Sequence, residues 1–127
     1  LISTGHAHLD VAWLWPLWRT RQKVAHTVAT ALHLMERYPD YHYSMSQPQV
    51  YHFLKHDAPD LYARMKARIA EGRFEPVGMM WLETDCNIPS GESLVRRCPD
   101  AVVDMEHAAN STTKRHLLWP SRQNGRC

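Results

Sequence analysis

Apolar positions along this chain change their spacing several times, and each change marks a new element. Val24, Val28, Ala31, Leu32 and Met35 recur at intervals of one, three and four residues, which places them on one face of a helix. Pro16 suits the first turn of that helix, and Tyr38-Pro39 ends it, because the residue before a proline avoids helical angles. Ahead of the helix, Leu1 to Asp10 reads as a strand, and "YHYSMS", Tyr41 to Ser46, alternates aromatic or apolar residues with polar ones as a second strand would.

Helical spacing returns from about Pro48 to His56. It resumes after Asp57, an expected N-cap, with Leu61, Met65 and Ile69 on one face and Gly72 as the stop. "FEPVGMMW", Phe74 to Trp81, reads as a third strand whose first half is weakened by Pro76 and Gly78. Strand, helix, strand, helices, strand is the order of a parallel α/β sheet. Beyond it, Asn87, Pro89, Ser90 and Gly91 make a loop, and Ser90 or Ser93 is placed to cap a following helix. A weak helix near Ala101 to Ala109 and then a poorly ordered tail are expected for the remainder.

At 127 residues the chain is long enough for one compact domain, and no apolar run approaches the roughly 18 residues of a membrane span. Net charge is +2 with basic residues dispersed among acids, which gives nucleic-acid binding no footing. The three cysteines, Cys86, Cys98 and Cys127, form neither an even set nor a CxxC pair, so a disulfide framework and a cysteine zinc site are both disfavoured and a reducing, cytoplasmic setting is expected. The chain opens directly in a strand without an initiator methionine or signal peptide, the expectation being a fragment of something longer.

The chemistry concentrates in "LISTGHAHLDVAWLWPLW", residues 1 to 18. On a strand, His6, His8 and Asp10 share a face. Imidazole and carboxylate are suitable zinc donors at roughly 2.0 to 2.2 Å, although buried, hydrogen-bonded histidines are the commoner outcome of such spacing. Because functional groups in parallel α/β proteins gather at the carboxyl ends of strands, Asp85, just past the third strand, could meet His8 and Asp10 there. Trp13, Trp15 and Trp18 are expected in the core, the alternative being a flat platform for the apolar face of a sugar. His52 and His56 lack the glutamate of an HExxH site and read as solvated, as do Arg96 and Arg97. Glu83 shares a face with Asp85 if the segment is extended, and Cys86 reads as an inert small side chain.

"GHAHLDVAWLWP", "YHYSMSQPQVY" and "WLETDCNIPSGESLVRR", in this order, resemble the N-terminal catalytic domain of the glycoside hydrolase family 38 α-mannosidases. The resemblance covers residues 1–97, and residues 98–127 diverge from it, with only Leu117-Leu118-Trp119 faintly similar to a strand of the family. It implies an α/β fold: the first three β/α units of an irregular seven-stranded β/α barrel, left incomplete. It implies one zinc ion on His8, Asp10 and Asp85, with Asp85 also the catalytic nucleophile and Trp13 packing against the mannose ring. His6 is not a ligand in the family pattern. The fourth ligand, a histidine, and the acid/base aspartate lie further downstream in the family.

The implied reaction is retaining hydrolysis of terminal α-mannosides, alone or in mannose-containing oligosaccharides, by a homo-oligomeric parent enzyme. The 127-residue chain by itself, with unpaired parallel edges, is expected to be inactive. Two rivals stand beside this reading. A metal-dependent amidohydrolase would use both His6 and His8 as ligands, and a non-catalytic zinc- or sugar-binding module would need no second half.

Overall fold

A computed structural model describes residues 3–78, 80–83, 85 and 87–96. Its elements run β1 (Gly5–His6), α1 (Leu17–Arg37), β2 (Tyr43–Met45), α2 (Pro48–Asp57), α3 (Pro59–Ala70) and β3 (Phe74–Pro76). The strands form one parallel sheet in the order β1-β2-β3, with Gly5 opposite Tyr43 and Tyr43 opposite Phe74. Sequential order with every strand parallel requires each connection to cross back over the sheet, which α1 and the α2–α3 pair accomplish.

The α1 stripe packs as its spacing demands. Val24, Val28, Ala31, Leu32 and Met35 are all buried, and they join Tyr43 and Met45 of β2, Val50, Tyr51 and Leu54 of α2, Met65 and Ile69 of α3, and Phe74 of β3 in one apolar cluster. The Tyr43 and Phe74 rings meet with centroids 5.3 Å apart. Gly5 is required where β1 crosses this cluster's edge: a Cβ there would lie 2.3 Å from Tyr41 Oη and 2.9 Å from the Tyr43 ring.

Helix ends follow from local chemistry. Tyr38, extended at φ −124° and ψ 106° before Pro39, terminates α1, and the guanidinium of Arg73 donates to the carbonyls of Met35, Tyr38 and Tyr41, placing a cation on the α1 C-terminus. At the end of α3, Gly72 adopts φ +75° while its amide reaches Ile69 O and the Arg73 amide reaches Arg68 O, both at 3.0 Å; this is the Schellman pattern.

Three expectations are corrected. The first strand does not run to Asp10: it ends at His6, because β2 ends at Met45 and offers no further ladder partner, and Leu9 O is taken instead by the side-chain amide of Gln47 at 2.9 Å. The third strand stops at Pro76; Val77 adds one bond to Met45 O at 3.0 Å before Gly78, at φ +90°, turns the chain away. Asp57 is not the N-cap of α3 but the last residue of α2, and Ala58, at φ −144° and ψ 68° before Pro59, takes the N-cap position instead. The Asp57 carboxylate is engaged elsewhere, gripped by two nitrogens of Arg21, one at 2.6 Å. Among the described residues no helix is long and apolar enough to cross a membrane. The helix expected at 101–109 and the divergent segment 98–127 lie outside the described residues.

Candidate functional site

His8 and Asp10 lie just past the carboxyl end of β1 and touch: His8 Nε2 is 3.1 Å from Asp10 Oδ1. Their backbone is held by one residue of α1. Thr20, fully buried, donates its hydroxyl to Asp10 O at 3.2 Å and accepts the Ala12 amide at 3.2 Å and the Trp15 indole N–H at 3.0 Å. The hydroxyl's donor and both lone pairs are thereby used. Ala12 sits at φ 64°, a left-handed conformation in which the chain leaves the strand direction and presents the tryptophans.

Those tryptophans are not core. Trp13 is 68% and Trp18 59% exposed, while Trp15 is half-buried. Trp13 meets the edge of Trp15 at 5.9 Å and 87°, and Lys23 Nζ lies 4.2 Å from the Trp15 ring centre. Burial fails because α1 begins at Leu17 and turns its Thr20, Val24 and Val28 stripe inward, which leaves Trp13 ahead of the helix and Trp18 in its first turn off the buried stripe.

The second flank of His8 comes from the segment after β3. Glu83 Oε2 lies 2.7 Å from His8 Nδ1, and Ser46, just past β2, donates its hydroxyl to Glu83 Oε1. The hydrogen bond to Asp10 raises the His8 pKa above the ordinary imidazole value, burial opposes it, and the negative charge of Glu83 adds to the rise. Asp85 takes another arrangement: it is exposed, and its Oδ1 accepts the Asn87 amide at 2.8 Å as an Asx turn. Among the described residues no group of three or more His, Cys, Asp or Glu side chains is arranged to hold a metal ion. The structure therefore joins His8 to Asp10 and does not bring Asp85 to them.

The donor pair itself fits zinc chemistry. Donors about 2.0 to 2.2 Å from a tetrahedral ion stand roughly 3.3 to 3.6 Å apart, slightly more than the 3.1 Å that separates Nε2 from Oδ1. His6 is turned to another task, its Nδ1 lying 2.9 Å from Ser44 O across the β1–β2 pair. His52 and His56 are exposed, and Arg96 pairs with Glu92 at 2.7 Å along a helical turn over 91–96. Arg97 and Cys86 lie outside the described residues.

Residues 1–100 match the Glycosyl hydrolases family 38 N-terminal domain. The chain belongs to glycosyl hydrolase family 38. Human "Alpha-mannosidase 2C1" is 46% identical over 95 residues, which cover 75% of this chain and 9% of the relative. "Alpha-mannosidase G" of Dictyostelium discoideum is 40% identical over 95 residues, again 75% of this chain and 9% of the relative. "Alpha-mannosidase" of Saccharomyces cerevisiae is 40% identical over 94 residues, 73% and 9% respectively. The family 38 chain thus spans about a tenth of the length of these curated relatives.

Thr20, Gln47 and Ser46 went unassigned in the sequence. Gln47 carries the clearest missed signal: a glutamine directly before Pro48, flanked by strand and helix signatures, marks a sharp turn whose buried amide must find partners.

Proposed function

We propose that this chain contributes part of the active site of a zinc-dependent retaining α-mannosidase, which hydrolyses terminal α-mannosides through a covalent glycosyl-enzyme. The observation that carries the reading is the His8–Asp10 contact at the carboxyl end of a parallel strand, beside an exposed Trp13, in a family 38 chain. In this reading β1 to β3 are the opening strands of an irregular seven-stranded β/α barrel, whose catalytic end is the carboxyl end of the strands.

His8, Asp10 and Asp85 would hold the zinc ion, which when bound polarises sugar hydroxyls and favours ionised carboxylates around it. The Trp13 indole, exposed three residues after Asp10, packs against the apolar face of the mannose ring and orients it. The Asp85 carboxylate attacks the anomeric carbon as the bond to the leaving oxygen breaks, and that oxygen takes a proton from a second carboxylic acid. That second group, now a carboxylate, then takes a proton from water as the water oxygen attacks the anomeric carbon and the glycosyl–Asp85 bond breaks, which releases mannose with retained configuration. On cysteine usage the setting is cytoplasmic, and the parent enzyme is a homo-oligomer.

Cobalt titration of the purified chain, read by its visible absorption bands, tests the ligand set. His8→Ala, Asp10→Ala and Asp85→Ala are each expected to abolish the bands, while His6→Ala leaves them. Equal loss with His6→Ala would favour the amidohydrolase rival, in which both histidines ligate. The 127-residue chain alone is expected to give no turnover of an aryl α-mannoside, and sustained hydrolysis by it overturns that part of the reading.

A further inference from the structure

The stretch Ser46-Gln47-Pro48-Gln49 has no task in the mechanism above, and Gln47 breaks two local rules within it. It holds the N-cap position of α2, where Ser, Thr, Asp or Asn ordinarily accepts a helical amide, yet its side chain makes no such bond. It also sits at φ 66°, which a residue with a side chain adopts only when its surroundings impose it. Both breaches have one cause: the side chain is spent outside its own helix. Gln47 is 4% exposed, its Nε2 donates to Leu9 O at 2.9 Å, and its Oε1 accepts the Glu83 amide at 3.4 Å. These partners fix the orientation of the side-chain amide, because a carbonyl only accepts and a backbone N–H only donates.

Leu9 stands between His8 and Asp10, and Glu83 lies two positions before Asp85. One buried amide therefore ties the backbone that carries two of the proposed ligands to the backbone that leads to the third. Its neighbours fasten the same far segment. Ser46 donates its hydroxyl to the Glu83 carboxylate, the Gln49 backbone amide reaches Trp81 O at 3.4 Å, and Gln49 Oε1 accepts the Trp81 indole N–H at 2.9 Å. Among the described residues of this stretch, Gln47 is the one that also reaches the turn after β1.

We propose that Gln47 is a positioning residue, whose buried amide holds the turn after β1 beside the segment after β3 and so leaves only the residues beyond Glu83 to bring Asp85 to a cation on His8 and Asp10. Anchoring both segments in advance lowers the ordering cost of binding. The proposal rests on the zinc reading for its functional meaning, though not for its geometry. Groups that orient ligands from behind typically contribute 10- to 100-fold in metal affinity.

Hydrogen exchange and cobalt titration of the 127-residue chain test it. Gln47→Met keeps the side chain's length and deletes both bonds. Gln47→Asn tolerates φ 66° better, but its amide, one methylene shorter, does not span both partners. Each is expected to speed exchange of the Glu83 amide by about tenfold relative to the α1 amides of Val28 and Leu32, and to weaken cobalt binding by about tenfold with altered visible bands. Leu54→Ala opens a cavity in α2 and leaves both Gln47 bonds in place. It is expected to lower the urea midpoint more than either Gln47 variant while the exchange ratio and the cobalt bands stay native. Unchanged Glu83 exchange in both Gln47 variants overturns the proposal, as does native cobalt binding despite faster exchange, or a Leu54→Ala chain that behaves as they do. Faster Glu83 exchange in variants of a chain that binds no cobalt supports the tie between the segments and removes the zinc reading instead.

Discussion

Phe74 and His8 belong to the same three-stranded sheet and are held in opposite ways. Phe74, at the start of β3, is buried against Tyr43 and the helices, and no polar atom of its side chain needs a partner. His8, past the end of β1, is exposed and is located by a hydrogen bond to Asp10 and an ion-pair contact with Glu83, which the Ser46 hydroxyl holds in turn. Apolar burial is non-directional and tolerates small shifts, whereas a hydrogen bond weakens steeply once its angle or length is lost. The helix-covered side of the sheet therefore supplies stability, and the carboxyl end supplies position.

The largest effect expected from breaking this contrast lies on the buried side. Phe74→Ala removes an aromatic ring from a cluster contributed by α1, α2, α3, β2 and β3. Such truncations cost roughly 3 to 5 kcal/mol, a large share of the 5 to 15 kcal/mol typical of a domain. Urea unfolding of the variant should show a midpoint shifted far toward zero denaturant, and a shift of less than about 1 kcal/mol would mean that the sheet does not depend on this cluster.

A smaller but more informative effect is expected where the two regions meet. Thr20 packs in the α1 stripe yet bonds only outward, to Asp10 O, Ala12 N and Trp15 Nε1. Thr20→Val keeps the shape and deletes the bonds, at a cost of about 1 to 3 kcal/mol for the groups left unpaired. The contrast predicts a split: a moderate loss in urea midpoint, together with a Trp15 environment and an Asp10 position that are no longer fixed. Tryptophan fluorescence and cobalt affinity should change more than helicity by circular dichroism. Proportionate change in all three would show that the loop and the core are one cooperative unit.

The same contrast explains what could be read in advance. The α1 stripe, the stop at Tyr38-Pro39 and the Gly72 cap are local signals, each written within a few consecutive residues, and the structure repeats them. The parallel order of strands followed from their alternation with helices. At the carboxyl end the determining contacts join residues far apart in sequence, such as Gln47 with Leu9, Ser46 with Glu83 and His8 with Glu83, and no spacing rule announces them. The His8–Asp10 pair was legible because only two positions separate it, while the strand invoked to align it proved to end at His6. The tryptophans misled for a related reason: aromatic residues carry a general tendency to burial, and nothing local says that α1 will turn its Thr20, Val24 and Val28 stripe inward and leave Trp13 and Trp18 exposed.

The finest test concerns one atom in the buried region that behaves as if it belonged to the polar one. Among the described residues Tyr43 Oη is buried without a hydrogen-bond partner, and burial, reinforced by the neighbouring Tyr41 phenol, pushes its pKa up to about 12. Tyr43→Phe removes the orphan hydroxyl and keeps the ring against Phe74, so a gain of about 1 kcal/mol is expected at neutral pH. The sign at high pH follows from linkage. An unfolded tyrosine ionises near 10 and the folded one only near 12, so the unfolded chain loses its proton first and the native chain is destabilised progressively between those values. Tyr43→Phe lacks this contribution. Its urea midpoint should fall less steeply than that of the native chain from pH 10 to 12, with the remaining slope due in part to Tyr51, whose phenol is also held well above its ordinary value by burial. Parallel slopes for the two proteins would place the Tyr43 hydroxyl in contact with water and return it to the ordinary phenol range.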